Sequence, residues 1–251
     1  MSETTPATET PAPPAAPKPL GLAARAIGIV TAPRDTYAAV AAAPRWLGMA
    51  ILVVVVVGAC QFWFQSTAVG KQASLDEAVR QTEAFGFKVS DPMYEEMRKA
   101  IFDPPAWRVA LTAGTMIVGP LVIWVILAGL LFLVFGVFAG GRATFKQVYA
   151  AVVHSWVILT LGSLFLTPLN YARESLTSKT NLGVFLAFLP DGSFLAKLAG
   201  MVDLLLIWWL TSLAIGVAVT YKKKTAGVAM VLFGVYALIA LGTAAVMAAR
   251  S

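Results

Sequence analysis

Two residue types that carry much of protein chemistry are almost missing from this chain. There is one cysteine, Cys60, and one histidine, His154, in 251 residues. A lone cysteine closes no internal disulfide, and one His with one Cys makes no metal-ligand set at the usual spacings. A single histidine leaves no second base for a triad variant, and no serine sits in a nucleophile-elbow pattern. No glycine loop runs into Lys-Ser or Lys-Thr, so no phosphate cradle of that kind is predicted. The acids Glu95-Glu96 are adjacent and diverge on a helix. Charge is scarce as well: 13% of residues are charged, against about 25% in soluble domains. The expectation is a protein with no enzymatic activity and no cofactor.

What is present instead is apolar. Hydrophobic residues make up 59% of the chain, beyond the ~45–50% of soluble domains. The stretch Trp208–Met247 organises the rest. An apolar run, the turn Tyr221-Lys222-Lys223-Lys224 and a second apolar run read as a membrane hairpin whose three lysines hold the turn on one face. A span needs about 20 apolar residues. On that measure five transmembrane helices are predicted, at about 46–66, 113–138, 148–168, 199–220 and 225–248. The fold class is therefore an all-α polytopic membrane protein. Trp46 and Trp63 suit the interfacial belt at the ends of the first span. Gly119-Pro120 is expected to divide the long charge-free run 109–141, with a kink at Pro120. Gly136 to Gly140 is a GxxxG, a weak packing signal on its own.

Outside the spans, residues 1–19 are rich in Pro, Thr, Ala and Glu and read as a disordered tail. Residues 20–45 read as two short basic helices around Thr31-Ala32-Pro33, either interfacial or an ordinary juxtamembrane linker. Residues 70–106 read as a helical extramembrane loop between the first two spans. Ser74 to Glu77 forms an expected capping box there, and Asp91-Pro92 opens the next helix, with Asp91 as its cap and Pro92 at the first position. The apolar island Leu182–Leu189 is too short to cross. Val57-Gly58-Ala59-Cys60 looks like a lipobox, but it lies too far from residue 1 for a signal peptide, so Cys60 reads as a packed membrane cysteine.

The net charge is +6. Its lysines and arginines flank apolar runs, which is the positive-inside pattern and not a nucleic-acid face. The segment before residue 46, the 142–146 loop and the 222–224 turn, with four, two and three basic residues, fall on one side in a five-span chain. That places the N-terminus in the cytoplasm and the C-terminus on the opposite side. Candidate functional residues are His154 and Asp203, the two ionisable groups read within spans, together with Pro120 and Lys222, Lys223 and Lys224. His154 and Asp203 are expected at depths about 16 Å apart, so no paired relay is predicted.

Ala32-Pro33-Arg34-Asp35-Thr36-Tyr37, followed by Pro44-Arg45-Trp46, resembles the start of Yip1-domain proteins, bacterial members especially. Phe145-Lys146-Gln147-Val148-Tyr149 leading to His154-Ser155 is similar to the central region of that family. So is Ile207-Trp208-Trp209 before a basic turn and an Ala/Gly-rich last span. The resemblance implies five spans, a cytoplasmic N-terminus and a role as a non-enzymatic membrane scaffold or adaptor. The acidic and glycine-proline signatures of eukaryotic trafficking members have no clear match here, so Rab-type partners are not implied. The expected partners are the lipid bilayer and other membrane proteins or a second copy of the chain. The alternative reading is a small transporter or channel using the kinked helix with Asp203 and His154. An Ala- and Val-heavy composition fits a bacterial inner membrane.

Overall fold

A chain threaded through hydrocarbon must satisfy its backbone polar groups internally, and helices do this segment by segment. The computed structural model describes residues 20–176, 180–186, 188–190 and 193–250, and the tail expected at 1–19 lies outside them. Two short helices come first, α1 (Leu22–Thr31) and α2 (Pro33–Ala42). They are followed by α3 (Leu47–Ser66), α4 (Ala68–Ala84), α5 (Asp91–Phe102) and α6 (Ala106–Leu131). A π-helical run, Phe132–Phe138, extends α6. Then come α7 (Phe145–Ser155), α8 (Val157–Ala172), a single 3₁₀ turn at Leu182–Val184, α9 (Phe194–Met201), α10 (Leu204–Thr220) and α11 (Thr225–Arg250). Among the described residues there are no β-strands, only an isolated bridge between Asn181 and Asp203.

Four helical segments are long and apolar enough to cross a membrane: Leu47–Ser66, Ala106–Phe138, Phe145–Ala172 and Thr225–Ala249. The third is the central pillar. In its most apolar window 56% of residues are buried, against 22%, 22% and 17% in the others. It is formed by α7 and α8 with an irregular step at Trp156. Around it, α3, α6 and α10 close a core of Met49, Val53, Trp124, Leu131, Val152 and Leu213.

Several local expectations are corrected. The run 109–141 is not divided at Pro120, because α6 passes through it. Pro120 has no N–H to offer the turn before it, a defect tolerated within a helix whose neighbours and geometry absorb it. The capping box at Ser74 does not form, because α4 starts earlier, at Ala68. Thr67 caps it by accepting from the Gly70 N–H, and Ser74 donates back to the Gly70 carbonyl inside the helix. The cap of α5 is Ser90 and not Asp91, one residue earlier than the sequence suggests. The helix read over 199–220 is broken at Val202, and α10 proper begins at Leu204 with 17 residues. That gives about 25 Å at helical rise, shorter than a ~30 Å core.

The N-terminal helices do more than flank the bundle. Ile29, Tyr37 and Val40 are buried, and α2 lies against α7 and α10. Small residues let them in. A Cβ on Gly216 of α10 would stand 2.7–2.9 Å from the Tyr37 ring. Thr36 likewise fills the space a side chain at Gly28 would need. At the same end, Tyr221 packs against Gly136 and Gly141, which seats the 221–224 turn beside the loop after α6.

Overpacking of that kind costs about 1–3 kcal/mol. Gly216→Ala is therefore expected to lower the melting temperature in detergent. Gly227→Ala, at a position with open space around it, is expected to leave it unchanged or raise it. Equal melting of the two variants would refute the seating of Tyr37 on α10.

Candidate functional site

Where the bundle meets α1, buried polar side chains gather on the central pillar. Arg25 is the single charge on an otherwise apolar helix, and it turns inward. Its Nη1 donates to the Arg45 carbonyl at 2.5 Å and contacts His154 Nε2 at 3.2 Å. A guanidinium only donates, so Nε2 accepts. The other ring nitrogen, Nδ1, then carries the proton and donates to the Ala150 carbonyl at 2.7 Å. The hydrogen bonds thus define a neutral imidazole and its tautomer. His154 and its neighbour Ser155 are both fully buried.

Other polar groups continue this belt across helices. Trp209 Nε1 on α10 donates to Ser155 Oγ at 3.0 Å. The Tyr37 hydroxyl on α2 shares a 2.9 Å hydrogen bond with Ser212 Oγ on α10. Burial pushes the Tyr37 hydroxyl above its ordinary pKa, with the Ser212 bond acting in the opposite direction, so it stays a neutral hydroxyl. Gln147 of α7 donates to the Ala41 carbonyl at the end of α2 at 2.9 Å, and its own helix start is closed by a capping box with Thr144. Three tryptophans stack edge to face beside the belt: Trp124 with Trp156 at 5.6 Å, and Trp156 with Trp209 at 6.2 Å.

Asp203 does something else. Its carboxylate accepts from the Leu205 and Leu206 N–H groups and from the Thr180 hydroxyl. It is the N-cap of α10, and its backbone bridges Asn181. A carboxylate at a helix N-terminus is stabilised by the free N–H groups and by the dipole. The structure does not bring His154 and Asp203 together through any hydrogen bond. Pro120 lines an apolar cleft of about 200 Å³ with Val53, Val57, Gly58, Gln61, Met116 and Trp156. The three lysines form a tight turn in which Lys222 takes a positive φ of 53°. Lys223 reaches across to the Ala139 carbonyl at 3.1 Å. Cys60 lies inside α3. Among the described residues no group of three His, Cys, Asp or Glu side chains converges.

Sequence reasoning found His154 and missed its partner. In the sequence Arg25 is only one of the basic residues of a juxtamembrane segment. The available signal was its isolation in Leu-Ala-Ala-Arg-Ala-Ile-Gly-Ile-Val, where a lone charge on an apolar helix has to be paired or reach water. Tyr37 and Ser212 carried no such signal.

Span-length apolar helices around a belt of helix-joining hydrogen bonds define a polytopic helical membrane protein. The family model described as Yip1 domain matches residues 27–247, nearly the whole chain. The chain belongs to the Yip1-domain family. No curated protein and no solved structure matches it.

Leaving a buried donor without its acceptor costs about 1–3 kcal/mol. His154→Ala is expected to destabilise the protein by that amount in detergent unfolding. Once Arg25 is already changed to Ala, the same His154 change is expected to cost clearly less. Additive losses across the double-mutant cycle would show that the contact contributes nothing.

Proposed function

We propose that this Yip1-family protein is a non-enzymatic membrane scaffold or adaptor that organises other membrane proteins or lipids. The observation that carries this reading is how the buried polar groups are used. Arg25, His154, Ser155, Tyr37, Ser212 and Trp209 are engaged in hydrogen bonds between helices, an arrangement suited to holding a shape. Apolar surface is meanwhile left outward on α6 and α11, for example Ile126, Leu130, Leu238 and Ile239. Such faces suit lipid tails and the helices of other proteins. No observation favours the transporter alternative, since His154 holds Arg25 and Asp203 caps a helix.

In this reading α10, led in by α9, makes a fifth crossing between α8 and α11. The chain then ends on the side opposite its N-terminus, and α4 and α5 lie outside the membrane. Two contacts support a common side for the basic segments: Gln147 with Ala41, and Lys223 with Ala139. They bring the segments carrying Arg45, Arg142, Lys146 and Lys222 to Lys224 to one end. The positive-inside rule makes that end cytoplasmic. The setting that suits the composition is a bacterial inner membrane.

In native membranes, cross-linking followed by mass spectrometry is expected to recover recurrent membrane-protein partners joined near the 222–224 turn or residues 1–19. Solute flux that depends on the protein, with no recurrent partner, would sink the scaffold reading. Orientation is tested with single cysteines in a Cys60→Ser background. Position 95 is expected to react with an impermeant thiol reagent from outside, and position 222 only after the membrane is opened. The reverse pattern would invert the topology.

A further inference from the structure

A guanidinium taken out of water needs a counter-charge or a full set of acceptors. Arg25 is only 8% exposed and has neither. Its two acceptors, the Arg45 carbonyl and the neutral His154 ring, are both uncharged. Its Nε is buried with no acceptor at all. Among the described residues no carboxylate forms an ion pair with it, the pairs present being Arg80–Glu77 and Arg98–Glu95 on α4 and α5. The charge that acts on it most directly is another cation, Arg45, whose side chain is exposed.

The surroundings add positive potential. Arg45 leads directly into α3, and no side chain caps the start of that helix. The first-turn N–H groups of a helix have no intrahelical acceptor and carry the positive end of the dipole. The buried guanidinium of Arg25 thus lies on the backbone of Arg45, whose exposed side chain stands just before an uncapped helix start, and among the described residues no carboxylate forms an ion pair with either arginine.

We propose that Arg25, Arg45 and the start of α3 bind the phosphate group of an anionic membrane lipid. Phosphate is the chemistry that fits, because a guanidinium pairs with its oxygens in a planar fork and helix N–H groups complete the contact. A lipid is the source that fits. The point lies where a span-length helix begins, beside Trp46, which stacks edge-on to Tyr149 at 5.1 Å. Leu47 and Ile51, one turn apart, are 58% and 55% exposed, an apolar path on which an acyl chain can lie. In the proposed orientation this is the cytoplasmic leaflet. The site rests on the membrane fold and not on the scaffold reading, so losing either leaves the other standing.

The test uses the full chain, delipidated in detergent, with phosphatidylglycerol or phosphatidylcholine added back. Lipid retention is read by native mass spectrometry, and stabilisation by thermal melting. Phosphatidylglycerol is expected to be retained and to raise the melting temperature, and phosphatidylcholine is expected to do neither. Arg45→Gln should weaken phosphatidylglycerol retention about tenfold, the scale of one charge-assisted contact. This variant keeps the backbone carbonyl that holds Arg25, so it tests the site without removing the buried group. Arg25→Lys should also weaken retention, having lost the fork geometry. Lys88→Gln, on an exposed residue in the α4–α5 connection, should have no effect. Equal retention of the two lipids would overturn the proposal, as would equal effects of Arg45→Gln and Lys88→Gln. If inorganic phosphate displaces the lipid and stabilises the protein as well by itself, the ligand is the free ion and the lipid assignment fails.

Discussion

Between helices in a bilayer there is no water to complete a hydrogen bond. A polar side chain placed there is costly unless it finds a partner in the protein. Much of this structure follows from that requirement. Arg25, His154, Ser155, Tyr37 and Ser212 are few, and each joins one helix to another or fixes a side chain that does. The central pillar of α7 and α8 is the most buried of the four span-length segments, with α1, α2, α3, α6 and α10 packed around it.

A second constraint is distance. Apolar side chains gain little by leaving lipid for each other, so association depends on close packing. Small residues supply it at defined points. Tyr37 lies on Gly216, Thr36 on Gly28, and Tyr221 on Gly136 and Gly141. These contacts draw the N-terminal helices and the two basic turns to one end of the bundle. The end of the molecule where Lys and Arg most outnumber Asp and Glu is also the end where its loops are tied together. The opposite end carries α4 and α5, whose ion pairs are local and exposed and contribute little to stability.

The same arrangement narrows what the polar residues do. A buried arginine facing a neutral histidine is a structural joint with unused donors. An aspartate on helix N–H groups is a cap. Neither resembles a chain of groups passing a proton or an ion from one to the next. The family match over residues 27–247 places that arrangement in a Yip1 domain.

The helices were legible in the sequence where length and charge decide the matter. Apolar runs of 20 residues or more with at most one Lys or Arg, close to the start, are stable in lipid as helices, so the segments at Leu47–Ser66, Ala106–Phe138, Phe145–Ala172 and Thr225–Ala249 follow from composition. The family resemblance was readable too, from Pro33 to Tyr37 and from Phe145 to Ser155. Helix starts were less so. Ser74 and Asp91 match capping patterns, but Thr67 caps α4, which packs on α3 from its start, and Ser90 rather than Asp91 stands at the N-cap position of α5 without a side-chain hydrogen bond. Asp203 looked like a charge within a span and is the residue that ends the break before α10. What the sequence determined by itself is that the chain is helical and membrane-bound, since hydrocarbon admits little else. Only the tertiary structure decided that α1 and α2 enter the bundle and that Arg25 meets His154. Those contacts join residues 129 positions apart, and no local pattern encodes a partner at that separation.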